Sequence, residues 1–138
     1  MIYVVIQFSC IIYLILNARY EHLDFTALIL LLVALIIGLT AVVNMKVSNL
    51  NIMPTLKKSH QLRTNGIYQF IRHPMYTSVL LLCLALMLSN VHYISQTVML
   101  ILFVDLILKS RFEEKLLTKR FDNYQAYKEK TGRFIPFL

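Results

Sequence analysis

The run Phe25–Met45 constrains the fold of this chain more than any other part of the sequence. It carries no charged side chain over its whole length, and about 20 residues of α-helix cross the hydrocarbon core of a bilayer. Three further apolar segments occupy residues 2–16, 75–88 and 91–108. Apolar residues make up 58% of the chain, above the roughly 45–50% of ordinary soluble domains. The pattern predicts an all-α integral membrane protein with about four transmembrane helices.

The charged residues lie between and after these apolar segments. The net charge is +7, and because the basic residues are confined to two stretches, we interpret them as a topology signal rather than as a nucleic-acid surface. By the positive-inside rule, the 46–74 loop and the C-terminal tail both lie in the cytoplasm, and four spans place the N-terminus there too. The basic residues are Lys46, Lys57, Lys58, Arg63 and Arg72 in the loop, and Lys109, Arg111, Lys115, Lys119, Arg120, Lys128, Lys130 and Arg133 in the tail.

The tail has the periodicity of an amphipathic helix. Apolar and aromatic residues recur there at three- and four-residue spacing, opposite a basic face. We expect this cytoplasmic helix to continue from the fourth apolar segment and to end near Gly132, a residue type common at helix C-caps. The periodic residues are Phe112, Leu116, Leu117, Phe121, Tyr124 and Tyr127.

Two polar motifs border the apolar segments on the same predicted side. Arg72-His73-Pro74 precedes the third segment; a proline in the first turn and a snorkelling arginine suffice to make it a helix start. Glu113-Glu114 follows the fourth segment, and the simplest interpretation is a solvated face with i,i+4 ion pairs. Because both motifs are predicted to be cytoplasmic, they are also able to form one site there.

Asp105 lies inside the fourth apolar segment, where an ionisable group is costly and indicates function by default. A pair with Lys109, four residues on, is an equally good interpretation. The four histidines and two cysteines do not have metal-ligand spacing, so we predict no metal site. No glycine-rich phosphate loop is present.

These motifs resemble those of the isoprenylcysteine carboxyl methyltransferase and phospholipid methyltransferase group. The resemblance covers about residues 44 to 136, and the chain departs from it at Ile67, where proline is common, and at Asp122, where glycine is common. The central signature is Asn49-Leu50-Asn51-Ile52, Pro54, Leu62, Gly66-Ile67-Tyr68 and Arg72-His73-Pro74-Met75-Tyr76. The closing block is residues 109–114, Leu117, Phe121, Tyr124, Tyr127 and residues 131–136.

The resemblance implies a single membrane methyltransferase domain over residues 1–138, with two membrane helices in 1–45 and a catalytic core in 46–138. It implies S-adenosylmethionine as methyl donor, S-adenosylhomocysteine as product and a lipophilic acceptor taken from the bilayer. The residue spacing and the charge pattern separately predict no metal or nucleic-acid partner. The C-terminal segment is expected to fold over a cytoplasmic cofactor site, in the cytoplasmic membrane of a bacterium. The cofactor-binding candidates are Leu62, Gly66, Tyr68, His73, Pro74, Tyr76, Glu113 and Glu114.

The acceptor is expected to meet Arg111, Asp105 and Arg72. A carboxylate acceptor needs no base, only a cation to orient it, so transfer to oxygen is favoured over transfer to nitrogen, which requires removal of a proton. Two other functions compete with this one. A small four-helix transporter would use Asp105, and a reductase of the sterol reductase type would use a nicotinamide cofactor.

Overall fold

The computed structural model describes residues 1–45 and 62–138. Within those ranges the regular structure is helical, with short 3-10 turns at Tyr20–His22 and Gly66–Gln69. The helices are α1 (Ile2–Asn17), α2 (Phe25–Met45), α3 (Pro74–Ser89), α4 (Tyr93–Arg120) and α5 (Tyr124–Lys130). The predicted features that lie outside the described residues are Lys46, Asn49, Leu50, Asn51, Ile52, Pro54, Lys57 and Lys58.

The predicted all-α fold is confirmed for the described residues, and each apolar segment forms a helix. α2 and α4 are long and apolar enough to cross a membrane, with 21 and 28 residues. α1 and α3 are apolar but shorter, with 16 residues each.

The prediction of one continuous tail helix is wrong. α4 ends at Arg120, Phe121 is extended, and a turn through Asp122 and Asn123 precedes α5. Asp and Asn favour such turns because their side chains compete with the backbone for hydrogen bonds. Gly132 is also not a helix cap, since α5 ends at Lys130 with an extended residue after it. The break allows α5 to turn back toward the start of α3.

Small residues bring α2 and α3 close together. Ala27, Ala34 and Ala41 are buried at seven-residue spacing along α2. The Ser78 hydroxyl of α3 donates a hydrogen bond to the Ala34 carbonyl at 2.7 Å. A Cβ on Gly38 would lie 2.7 Å from the same hydroxyl oxygen. Small side chains drive helix association in membranes because they allow backbones to approach.

α1 packs against α4, and both contribute to the main apolar cluster of the molecule. The cluster consists of Cys10, Leu14, Cys83, Leu86, Leu102 and Leu106. One polar contact crosses the same interface, where the buried Lys109 ammonium donates to Gln7 Oε1 at 2.8 Å. Apolar packing and this bond therefore place the N-terminal helix beside the charged part of α4.

The opposite end of the bundle is fixed by short polar contacts between its two connections. Asn90 Nδ2 donates to the Asn17 carbonyl at 2.8 Å, and the Arg19 N–H donates to Ser89 Oγ at 3.1 Å. His92 caps α4 through a reciprocal pair of bonds with Ser95. A tight turn after Ser89 joins α3 to α4, and it leaves the 62–73 segment and the tail at the other end.

We expect Gly38→Leu to lower the stability of the α2–α3 pair. The larger side chain has to displace Ser78 and cannot relax without separating the helices, at a cost of about 1–3 kcal/mol. The free energy of unfolding is measured by denaturant titration in mixed micelles. Thr40→Leu, on the exposed face of the same helix, is the control, and equal stability of the two variants would contradict the packing argument.

Candidate functional site

The 62–73 segment leads into the start of α3 and is pinned by two tyrosines. Tyr68 is buried, its hydroxyl faces the Ala41 carbonyl at 3.4 Å, and its own carbonyl accepts from the Tyr127 hydroxyl at 2.6 Å. Burial raises the pKa of Tyr127 to about 12 and also raises that of Tyr68. Both hydroxyls therefore stay protonated and remain donors at neutral pH.

Beyond this turn, the chain pairs with the C-terminal tail as a short parallel bridge. The Gly132 N–H donates to the Phe70 carbonyl at 3.0 Å, and the Arg72 N–H donates to the Gly132 carbonyl at 2.8 Å. The His73 N–H then donates to the Arg133 carbonyl at 3.0 Å. These bonds satisfy backbone groups just before α3, so the tail completes the local structure of the Arg72-His73-Pro74 motif.

Gly132 is required by the reversal of the chain after the bridge. A Cβ at this position would lie 1.7 Å from the Ile135 carbonyl oxygen and 2.6 Å from the Leu138 nitrogen. Both are backbone atoms, so no side-chain rotation relieves the clash. The glycine of the closing block therefore permits close backbone approach and does not cap a helix.

Glu114 is the ionic centre of the site. Its side chain is 3% exposed, and its Oε1 accepts from Arg72 Nε at 2.9 Å and from His73 Nε2 at 3.2 Å. Arg133 donates to Oε2 at 3.0 Å and to Oε1 at 3.3 Å, and Lys128 Nζ lies 3.7 Å from Oε2. A carboxylate offers about four lone-pair sites, so Glu114 is fully satisfied by protein groups and stays ionised.

Arg72 also holds the end of α5. Its Nη1 donates to the Lys128 carbonyl at 2.8 Å and to the Thr131 carbonyl. A guanidinium at a helix C-terminus satisfies orphan carbonyls and opposes the negative end of the helix dipole. The guanidinium is therefore occupied by Glu114 and the tail, and is not directed at open space.

Glu113 faces a different set of groups. The Tyr76 hydroxyl donates to its Oε1 at 2.5 Å, and His73 Nδ1 lies 3.6 Å from its Oε2. The His73 and Tyr76 rings are stacked, with centroids 5.3 Å apart and planes 4° from parallel. The Glu113 side chain is 17% exposed, and its second oxygen has no close hydrogen bond within the described residues. Glu113 therefore retains acceptor capacity that Glu114 lacks.

Next to Tyr76, two ionisable side chains of α4, Lys109 and Asp105, extend into the apolar part of the bundle. The Lys109 ammonium lies 5.0 Å from the centre of the Tyr76 ring and donates to Gln7. Asp105, one helical turn further, is buried, and neither carboxylate oxygen has a hydrogen-bond partner within the described residues. Asp105 and Lys109 do not form the direct ion pair that the sequence offered as an alternative. The Asp105 carboxylate therefore has no direct partner within the described residues.

The structure brings most of the residues predicted from sequence to one end of the bundle. Arg72, His73, Tyr76, Glu113 and Glu114 are in mutual contact. Pro74 starts α3 next to this group. Of the other candidates, Tyr68 is buried, Leu62 is half-buried, and Gly66 has a φ of 59° in the preceding turn. Arg111 is exposed on another face of α4, and Asp105 lies two turns away on that helix.

Several residues with direct contacts in this site were absent from the predicted set. Gln7, Lys128, Thr131 and Arg133 hold Lys109, Glu114 or Arg72. Of these residues, Arg133 could have been found from the sequence. A buried carboxylate needs more than one cation, and the Arg72-His73-Pro74 motif supplies a single arginine. Gln7 sits in a run of apolar residues, and its partner is 102 positions away.

Comparison with known protein families decides the class. A family model described as phospholipid methyltransferase matches residues 23–124. The chain belongs to the phospholipid methyltransferase family. The match and the apolar helices make it a membrane methyltransferase. No curated protein shows a significant sequence match to the chain.

The family match covers the central residues of the candidate site but not all of them. It includes α2, α3 and α4, and with them Arg72, His73 and the Glu113-Glu114 pair. Gln7 on α1 and Arg133 in the tail fall outside the matched range. The candidate site therefore also includes residues outside the match, from both ends of the chain.

We expect Glu114→Gln to release the tail from the 68–77 segment. The amide leaves Arg72, Arg133 and His73 without their counter-charge, and breaking a buried pair costs about 3–5 kcal/mol. Limited trypsin digestion in detergent reports the release as faster cleavage after Lys130 or Arg133. Glu129→Gln, the same change at an exposed position of α5, should leave cleavage unchanged; equal cleavage of the two variants would refute this role for Glu114.

Proposed function

We propose that this chain transfers a methyl group from S-adenosylmethionine to a lipophilic acceptor at the cytoplasmic face of a membrane. The observation that carries the proposal is the contact between the two predicted motifs, in which Glu114 Oε1 accepts from both Arg72 and His73. These residues are 42 and 41 positions from Glu114. Two motifs so distant in the chain are assembled around charges, inside the range that matches a methyltransferase family.

The groups of the site fit such a cofactor. S-adenosylmethionine, when bound, supplies a methyl group on a sulfonium, whose carbon–sulfur bond breaks with its electron pair remaining on sulfur. Glu113 has an oxygen able to accept from an ammonium or ribose hydroxyl, and the stacked His73–Tyr76 pair offers a flat aromatic surface to adenine or a cation. Leu62, Gly66, Tyr68 and Pro74 form the neighbouring wall in this proposal.

The two adjacent carboxylates have different roles in this proposal. Consecutive residues of a helix project about 100° apart, so Glu113 faces Tyr76 while Glu114 faces the tail. Glu113 contacts the cofactor. Glu114, whose acceptor sites are taken by Arg72, His73 and Arg133, positions the surrounding groups and keeps the tail over the site. Methyl transfer depends on alignment and exclusion of water, which a closed tail provides.

The acceptor approaches from the membrane side, along the line from Glu113 to Asp105. Because Arg72 is occupied by Glu114 and the tail, and Arg111 lies on another face of α4, orientation of an acceptor carboxylate falls to Lys109. This route gives an O-methyl ester. A second candidate is an amine acceptor. The observation that favours it is the unpaired carboxylate of Asp105, which is able to accept the proton that an amine loses.

We further propose that all four long helices span the bilayer, as one domain. α1 and α3, at 16 residues each, extend about 24 Å, which requires local thinning or flanking residues to cross. Their pairing with α4 and α2 supports this placement. The positive-inside rule then puts the site and the tail in the cytoplasm, in the cytoplasmic membrane if the chain is bacterial.

Titration with S-adenosylhomocysteine tests the cofactor. We expect saturable heat in calorimetry for the purified protein in detergent and no response to NADPH. Glu113→Gln should weaken binding by about tenfold or more, since it weakens a charge-assisted hydrogen bond, while Glu129→Gln should bind normally. A response to NADPH alone would point to a reductase, and no response to either ligand would favour the transporter.

Asp105→Asn tests the acceptor side of the site. With lipid extracts and methyl-labelled cofactor, we expect turnover to fall at least a hundredfold if the acceptor is an amine, the scale of a lost acid–base group. Turnover should fall less if the acceptor is a carboxylate, which needs no base, and cofactor affinity is retained in both cases. Alkali treatment of the wild-type product separates the two chemistries, because esters release methanol and N-methyl groups do not. Loss of cofactor binding in Asp105→Asn would contradict an acceptor-side role.

A further inference from the structure

An amphipathic cleft of about 730 Å³ lies beside α4 and meets the candidate site at Glu114. One wall is apolar, with Leu108 and Phe112 from α4, and Tyr3 adds an aromatic ring from the start of α1. Leu108 and Phe112 are 44% and 41% exposed. The cleft begins where the apolar part of α4 ends, so it is open to both an apolar and an aqueous phase.

The other wall of the cleft is strongly cationic. Arg111, Lys115 and Lys119 follow each other at four-residue spacing on one exposed stripe of α4. None of the three forms an ion pair within residues 1–45 and 62–138. Like charges at this spacing repel each other, so the stripe is destabilising until an anion lies between its members.

The remaining charges of the cleft do not neutralise this stripe. Its one carboxylate, Glu114, is occupied by Arg133 at 3.0 Å and by Lys128 at 3.7 Å, as well as by Arg72 and His73. Lys128 and Arg133 also line the cleft. Five basic side chains therefore face a single carboxylate that is already saturated.

We propose that this cleft binds the phosphate-bearing headgroup of an anionic phospholipid. The basic stripe pairs with the phosphate, and the acyl chains lie along Leu108 and Phe112. A soluble anion would use the cations but leave the apolar wall uncovered, so the combination favours a lipid. Clusters of basic side chains just beyond a membrane helix attract anionic lipids. The bound lipid needs no methyl-accepting group, so its retention is measured separately from methyl transfer.

Native mass spectrometry of the protein released from nanodiscs tests the proposal. The nanodiscs contain phosphatidylglycerol, which is anionic and has no amine, or phosphatidylcholine, which is neutral overall. We expect phosphatidylglycerol to stay bound and phosphatidylcholine to be lost. Lys115→Gln/Lys119→Gln should weaken phosphatidylglycerol binding by about thirtyfold, the effect of two basic groups near an anionic headgroup. Raised ionic strength should weaken wild-type binding in the same direction.

Arg19→Gln/Lys130→Gln is the matched control, because it removes the same charge outside the cleft. Equal lipid retention by the two double variants would overturn the proposal. So would inorganic phosphate that stabilises the protein against thermal unfolding as much as phosphatidylglycerol does. Circular dichroism and thermal unfolding in neutral detergent verify the fold of both variants. Unchanged affinity for S-adenosylhomocysteine in Lys115→Gln/Lys119→Gln is expected; if that affinity falls while lipid retention does not, the cleft belongs to the cofactor and the lipid proposal fails.

Discussion

The carboxylate of Glu114, buried among Arg72, His73, Lys128 and Arg133, is the interaction on which the rest of this end of the molecule depends. Burial of a lone carboxylate is unfavourable by several kcal/mol, so the side chain stays buried only while its partners are in place. Those partners come from the segment before α3 and from the tail after α4. One charge therefore links three parts of the chain: the segment before α3, α4 and the tail.

The remainder of the bundle is stabilised by close packing with little polar contact. α2 and α3 approach through alanines and Gly38, whereas α1 and α4 share the apolar cluster and the Gln7–Lys109 bond. Apolar surfaces gain little from association in lipid, so helix pairs rely on small residues and a few hydrogen bonds. The rigid pairs provide fixed positions from which His73, Tyr76 and Glu113 project. A methyltransferase needs such fixed positions because alignment supplies much of its rate.

Several features were predictable because they depend on neighbouring residues alone. The length of the apolar segments predicted the helices, and Pro74 predicted the start of α3. The basic residues predicted on which side of the membrane the candidate site lies in the proposed topology. The tail was predicted less well. Its three- and four-residue periodicity suggested one helix, but a turn at Asp122-Asn123 interrupts that helix. At Gly132 the backbone of Ile135 and Leu138 comes close, and no neighbouring residue in the sequence indicates this contact.

By itself, the sequence determined the class of protein, its helical segments and the residue types of its site, since hydrophobic length and motif order are written along the chain. Only the tertiary structure decided how the paired carboxylates differ. Glu113 and Glu114 are chemically identical neighbours, and their contacts diverge because the helix turns one toward α3 and the other toward the tail. It also decided that Gln7 reaches Lys109, because packing of α1 on α4 brings together residues separated by 102 positions.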